Sequence, residues 1–239
     1  MINYIEKTYR ETKDDFLKIA KDNLLNDKKM FIVTANPETF MKANSNLEFD
    51  KILNDKNTTI VADGIGVVKG AKLLDINIKE RIPGVEISYS LLEYANEYNK
   101  SVYLFGASKE VINLTVEKIK KLYPNVNLVG YSDGYVSDKD LVFEEIKKLC
   151  PDITLVALGV PAQELLIGKH INDFSKGIFM GVGGTFDVIS GKVKRAPKIF
   201  QTLNLEWLYR ICGDKTRMKR FYDSNVKFIF ELKKLSKKK

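Results

Sequence analysis

Four apolar, strand-like runs in this chain end in residues of the types that handle phosphates, sugars or protons. VTANPE places Thr34 and Asn36 at the end of one run, with Pro37 suited to a first helical turn. IVADGIGVVKG ends a second run in Asp63 and continues through Gly64, Gly66 and Gly70. VALGVPAQE sets Gly159 ahead of Pro161, Gln163 and Glu164, and MGVGGTFD sets Gly183 and Gly184 ahead of Thr185 and Asp187. A carboxylate leaving a strand serves either as a general base or as a helix cap, and the local sequence at Asp63 leaves both open. Thr34 and Asn36, taken alone, read as caps. Glycines at 159, 183 and 184 let backbone N–H groups approach a phosphate or nucleobase, and tight helix packing explains such glycines equally well. Gln163 is placed to hydrogen-bond a sugar or uracil, and Thr185 or Asp187 to cap the helix that follows the paired glycines.

Several familiar chemistries are excluded or weakened by the same inspection. The Gly64, Gly66, Gly70 spacing misses the GxGxxG dinucleotide fingerprint by one position. Asp138 and Asp140 form a DxD of the kind that holds metals in nucleotide-sugar enzymes, but SDKD opens an amphipathic segment and reads as a capping box of Ser137 with Asp140. His170, the single histidine, lies in GKHINDF with no second ligand nearby, which argues against histidine triads and zinc. No GxSxG elbow is present. Cys150 and Cys212 lack CxxC spacing, so a disulfide framework is not indicated and a reducing cytoplasm fits.

The elements that must position these residues alternate. Strands are expected over 30–35, 58–62, 101–106, 127–131, 152–158 and 177–182, with amphipathic helices such as SKEVINLTVEKIKKLYP and SDKDLVFEEIKKLCP between them. This is the pattern of βαβ units. It predicts an α/β, Rossmann-like fold: a mostly parallel sheet with helices on both faces and ligands at the carboxyl ends of the strands. After Pro197 only helical patterns follow. IFQTLNLEWLYRI puts Phe200, Leu203, Trp207, Leu208 and Ile211 near one face, and KTRMKRFYDSNVKFIFELKKLSKKK reads as a basic helix. The expected division is therefore an α/β core over 1–196 and a helical, basic appendage over 197–239.

Charge is concentrated in that appendage. From Gly191 to Lys239 there are 15 Lys and Arg against 4 Asp and Glu, a local net of +11 in a chain of net +8, leaving −3 for the first 190 residues. An anionic partner is implied there: nucleic acid, phospholipid headgroups or a phosphorylated substrate. RMKRFY followed by VKFIF interleaves cations with Phe221, Tyr222, Phe228 and Phe230, as in an interfacial membrane helix or a phosphate clamp. No apolar run approaches the roughly 20 residues of a spanning helix.

Taken together, VTANPE, ADGIGVV, RIPG, LVALGVPAQE, GVGGTFDVISGKVKRAP and LEWLYRI resemble the WecG/TagA/CpsF family of bacterial glycosyltransferases, glycosyltransferase family 26, over residues 30 to 222. The resemblance implies an inverting hexosyl transfer of GT-E type that needs no metal or other cofactor, from UDP-N-acetylmannosamine to undecaprenyl-diphospho-N-acetylglucosamine, in wall teichoic acid or related surface-polymer synthesis. It implies Asp63 as base with Thr34 beside it, and Asn36, Arg81 and Gln163 as pocket residues. It also implies that Arg210, Arg217 and Arg220 close over the diphosphate from an appendage that brings the enzyme to the inner face of the membrane, with no nucleic acid involved. A homodimer burying apolar helix faces is compatible with the pattern. Two departures stand out: SDGYV carries Asp133 where relatives commonly have histidine, and ICGDKTR lacks a proline common before the appendage arginines. The first bears on sugar choice and the second on how the appendage hinges. Relatives using N-acetylmannosamine uronic acid or glucose, a nucleotide-dependent oxidoreductase or epimerase, and a basic nucleic-acid-binding module are the competing readings.

Overall fold

The computed structural model describes residues 1–202, 206, 208 and 215–236, with the side chains at 198, 201, 215–221 and 236 outside that description. Six parallel strands form one sheet: β1 (Lys29–Ala35), β2 (Thr58–Ala62), β3 (Ser101–Gly106), β4 (Asn127–Ser132), β5 (Ile153–Ala157) and β6 (Gly177–Gly181), in the order β2-β1-β6-β5-β3-β4. Each expected strand is present, displaced by at most one residue at each end. Most strand residues are buried because both faces are covered, which is why the runs read as continuously apolar.

The period-two alternation of strand side chains divides the interior into two clusters. Phe31, Val33 and Ala35 of β1 point into one cluster, and Met30 and Ile32 into the other. The first is covered by α3 (Pro37–Asn44), α4 (Leu47–Asn54), α8 (Lys139–Leu149) and α9 (Ala162–His170), together with residues of α1 (Ile2–Lys7) and α5 (Ile65–Lys72). The second is covered by α2 (Lys13–Leu25), α6 (Gly84–Glu97), α7 (Lys109–Leu122) and α10 (Thr185–Ile189). The chain therefore leaves β1 and β5 toward one face and β6, lying between them, toward the other. Diverging exits from neighbouring strands open a crevice at their carboxyl ends, where such sheets bind ligands.

Beyond Pro197 come α11 (Lys198–Thr202) and a last helix, α12 (Lys215–Ser236). The α12 helix is not a free-standing basic rod. Phe228 and Leu232 are fully buried in the first cluster, Phe228 lying 6.0 Å from the Phe40 ring of α3, whereas Tyr222 and Phe230 are exposed. The aromatic interleaving seen in the sequence thus has two causes: part of it is core and part faces solvent. Of the face expected for IFQTLNLEWLYRI, Leu203, Trp207 and Ile211 lie outside the described residues.

Candidate active site

Asp63 follows β2 directly, and its backbone N–H donates to the Ala35 carbonyl at the end of β1 (2.9 Å). Its carboxylate does not cap its own helix, since α5 starts from Gly64 with no side-chain cap. Instead Asp63 Oδ1 accepts from the N–H of Gly84 at 2.9 Å, the first residue of α6 in the RIPG motif. One orphan amide of α6 is thereby satisfied from 21 residues away. Thr34 stands alongside: a Cβ at Gly84 would lie 3.2 Å from Thr34 Oγ1, and that hydroxyl donates to the Gly181 carbonyl of β6 at 3.4 Å.

Asn36 does cap α3, as its type suggests. Its Oδ1 accepts from Thr39 N (3.1 Å) while Thr39 Oγ1 accepts from Asn36 N (3.2 Å), a reciprocal capping box. The cap uses the oxygen and leaves the NH2 group to donate elsewhere. Asn36 Cβ lies 3.1 Å from where a Cβ on Gly64 would be, so it borders the Asp63 turn.

On the other side of the crevice Gln163, buried in the first turn of α9, joins two glycine loops. Its Oε1 accepts from Gly159 N and from Gly183 N, both at 3.1 Å. Gly159 (φ +77°) and Gly183 (φ +50°) adopt left-handed backbone, and a Cβ at either would meet nothing within 4 Å. Conformation and open space, not tight helix packing, explain these two residues. The reverse holds along α5, where a Cβ on Gly66 would come 2.8 Å from Pro37 Cγ and one on Gly70 2.6 Å from Leu232 Cδ1. The spacing that suggested part of a dinucleotide fingerprint therefore serves packing against α3 and α12.

Arg81 reaches a charge cluster that extends into the appendage. Its Nη2 pairs with Glu206 Oε2 at 3.5 Å, and the other Glu206 oxygen accepts from Arg195 Nε at 3.3 Å. Arg195 Nη2 in turn donates to Glu86 Oε1 (2.6 Å), whose second oxygen accepts from Lys13 Nζ (2.9 Å). Burial pushes the Glu86 carboxyl up, but Lys13 and Arg195 outweigh it and hold the group below the usual carboxylate range. Glu206 is almost fully buried and was missed as a site residue. Its signal was present, however, as the lone acid of the LEWLYRI motif. Arg210 lies outside the described residues, and Arg217 and Arg220 fall in the first two turns of α12 with their side chains outside the description.

Four expectations are corrected. Neither Thr185 nor Asp187 caps α10; Thr185 Oγ1 donates to the Val182 carbonyl, and Gly184 takes the cap position. Asp138, not Ser137, caps α8, its Oδ1 accepting from Asp140 N (2.9 Å) and Leu141 N (3.2 Å). His170 has acidic neighbours after all. Its Nε2 lies 2.7 Å from Asp140 Oδ1, and ligand atoms of Glu144, His170 and Asp173 come within 4.8 Å of one another. The imidazole stacks on Phe143 at 4.9 Å, so packing and the hydrogen bond with Asp140 account for its burial. Finally, the aromatic face of the basic segment is only in part available to a membrane, since Phe228 is core. A groove of about 230 Å³ opens elsewhere, at the amino ends of the strands around Lys29 and Thr58, away from these residues.

The model of the glycosyl transferase WecG/TagA/CpsF family matches residues 5–239. The chain belongs to this family. A Bacillus spizizenii (strain W23) protein named N-acetylglucosaminyldiphosphoundecaprenol N-acetyl-beta-D-mannosaminyltransferase is 42% identical over 194 residues, 81% of this chain and 75% of that one. Proteins of the same name from Bacillus subtilis (strain 168) and Staphylococcus aureus (strain MW2) are 39% and 37% identical, covering 92% and 87% of this chain and 80% and 82% of theirs. As a glycosyltransferase of this family the chain carries its strand-end residues on a six-stranded parallel sheet, and no helix among the described residues is long and apolar enough to cross a membrane.

Proposed function

We propose that the protein transfers N-acetylmannosamine from UDP-N-acetylmannosamine to undecaprenyl-diphospho-N-acetylglucosamine with inversion at the anomeric carbon, in making a teichoic acid linkage unit or a related surface polymer. The observation that carries this reading is the shared name of relatives 37–42% identical across most of the chain. The crevice supplies what the reaction needs. Asp63 takes the proton of the acceptor hydroxyl as its oxygen bonds to the anomeric carbon and the bond to UDP breaks. Its tie to Gly84 aims the carboxylate before substrate arrives, with Thr34 and Asn36 supplying polar contacts beside it. The departing diphosphate meets the loops at Gly159 and Gly183–Gly184, held in place by the two N–H bonds to Gln163, and the cationic groups of Lys13, Arg81 and Arg195. In this reading Arg210, Arg217 and Arg220 add to that charge from the appendage.

The acceptor's polyprenyl chain stays in the bilayer while its sugar must enter a pocket in water. Peripheral attachment at the cytoplasmic face through α12 suits that geometry. Lys227, Lys233 and Lys234 and the exposed Tyr222 and Phe230 face outward while Phe228 and Leu232 fasten the helix to the core. A panel of UDP-sugars assayed with a synthetic lipid-diphospho-N-acetylglucosamine acceptor, read by product mass, tests the donor assignment. Product with UDP-N-acetylmannosamine is expected, and product only with UDP-glucose or a uronic acid donor would reassign the sugar.

A further inference from the structure

Beside Gln163 stands a residue that the mechanism does not use. Glu164 is 1% exposed, and one of its carboxylate oxygens, Oε2, is buried with no hydrogen-bond partner. Burying a carboxyl in this way is costly, and an apolar side chain of the same size would pack at less cost. Its other oxygen accepts from Gln163 Nε2 at 2.7 Å. A glutamine amide can point either way round, and the two choices are opposite in consequence here. With Nε2 on Glu164, Oε1 faces the N–H groups of Gly159 and Gly183; reversed, the NH2 group would face two donors and the oxygen would face a carboxyl. The space is fixed as well, since a Cβ on Gly181 would come 2.5 Å from Gln163 Nε2.

We propose that Glu164 is a positioning residue for donor binding: it sets the orientation of the Gln163 amide, and through Gln163 it braces the two glycine loops that end β5 and β6. Lys42 of α3 supports the same corner, donating to the Val160 carbonyl at 2.7 Å. Burial pushes the Glu164 carboxyl up to about 7, against the opposing hydrogen bond from Gln163. The proposal rests on the reading that these loops receive the sugar nucleotide.

The test compares the full-length wild type with Glu164→Gln, Glu164→Leu and Gln163→Leu, measuring KM for UDP-N-acetylmannosamine, KM for the lipid acceptor, and kcat. Glu164→Gln keeps an acceptor for Gln163 and is expected within about twofold of wild type, whereas Glu164→Leu should raise the donor KM about tenfold, the equivalent of one buried hydrogen bond, with the acceptor KM unchanged. A wild-type donor KM in Glu164→Leu, or equal damage in Glu164→Gln, overturns the positioning role. Should Glu164→Leu fail to fold, Glu164→Asp, which withdraws the acceptor by one methylene, takes its place with the same two outcomes. An unchanged donor KM in Gln163→Leu would instead remove the donor from these loops, and the functional half of the proposal with it. Damage in Gln163→Leu alone would remove only Glu164.

Discussion

Asp63 and Gly84, 21 residues apart, are joined by a 2.9 Å hydrogen bond from the helix's first N–H to the carboxylate. That bond orients the proposed base and satisfies an amide that would otherwise be an orphan, so structure and chemistry are separable by substitution. Asp63→Asn retains an oxygen for Gly84 but cannot take a proton. It is expected to lower kcat by about 10²–10⁴-fold while leaving UDP affinity nearly unchanged. Single-turnover product formation and calorimetric UDP titration on the same preparation check this, and wild-type-like turnover would remove Asp63 from the mechanism.

Glu206 divides its two oxygens between Arg81 and Arg195. Removing it takes a shared carboxylate from two partly buried guanidinium groups, of which Arg195 keeps Glu86. Glu206→Ala should lower stability by about 2–4 kcal/mol and raise the donor KM, while Glu206→Gln, which keeps an acceptor, should do less of both. Denaturant unfolding together with donor KM values decides it. If the alanine variant changes neither, the cluster does not hold Arg81.

The sheet and the strand-end residues were legible because each depends on local sequence: short β-rich apolar runs, a following glycine or proline, a polar residue at the exit. Asp63, Thr34 and Asn36 could be found this way, although which partner Asp63 takes could not. The burial of Glu164 and of Glu206 could not be read from sequence. A glutamate in a first helical turn is ordinarily an exposed partner of the helix dipole, and Glu206 meets Arg81 across 125 residues. Phe228 and Phe230 likewise look alike in sequence, and only the packing of α12 on α3 and α5 tells them apart.

The buried Glu164 carboxyl gives a pH signature. Its folded value, about 7, lies above the ordinary 4.5, so the native state holds this proton more tightly than the unfolded chain does. Its contribution is therefore most favourable below about 4.5 and declines as pH rises to about 7, by on the order of 3 kcal/mol, then levels off. Asp152 behaves oppositely. Burial raises it, but Lys176 and Ser101 hold it below the usual range, and its contribution is lost in acid. Subtracting the pH-dependence of Glu164→Gln from that of wild type isolates the first effect. Unfolding free energies at pH 5 and pH 8 whose difference is the same in both proteins would show that Glu164 does not titrate in this window.

Phe228 and Phe230, two residues apart on α12, should fail in different assays. Phe228 is fully buried against Phe40 and over Gly70, so Phe228→Ala opens a cavity where α12 meets the core and should cost about 3–5 kcal/mol if the helix unfolds with it. All fifteen cations between Gly191 and Lys239 remain in that variant. Phe230 is 69% exposed, and Phe230→Ser should leave stability within about 0.5 kcal/mol but weaken co-sedimentation with anionic vesicles. Truncation after Ile211 combines the two losses and should reduce both vesicle binding and turnover of the lipid-linked acceptor. Vesicle binding that is insensitive to Phe230→Ser and to truncation alike would rule out α12 as the membrane contact. Activity that survives truncation would show that the cations beyond Ile211 do not act on the diphosphate.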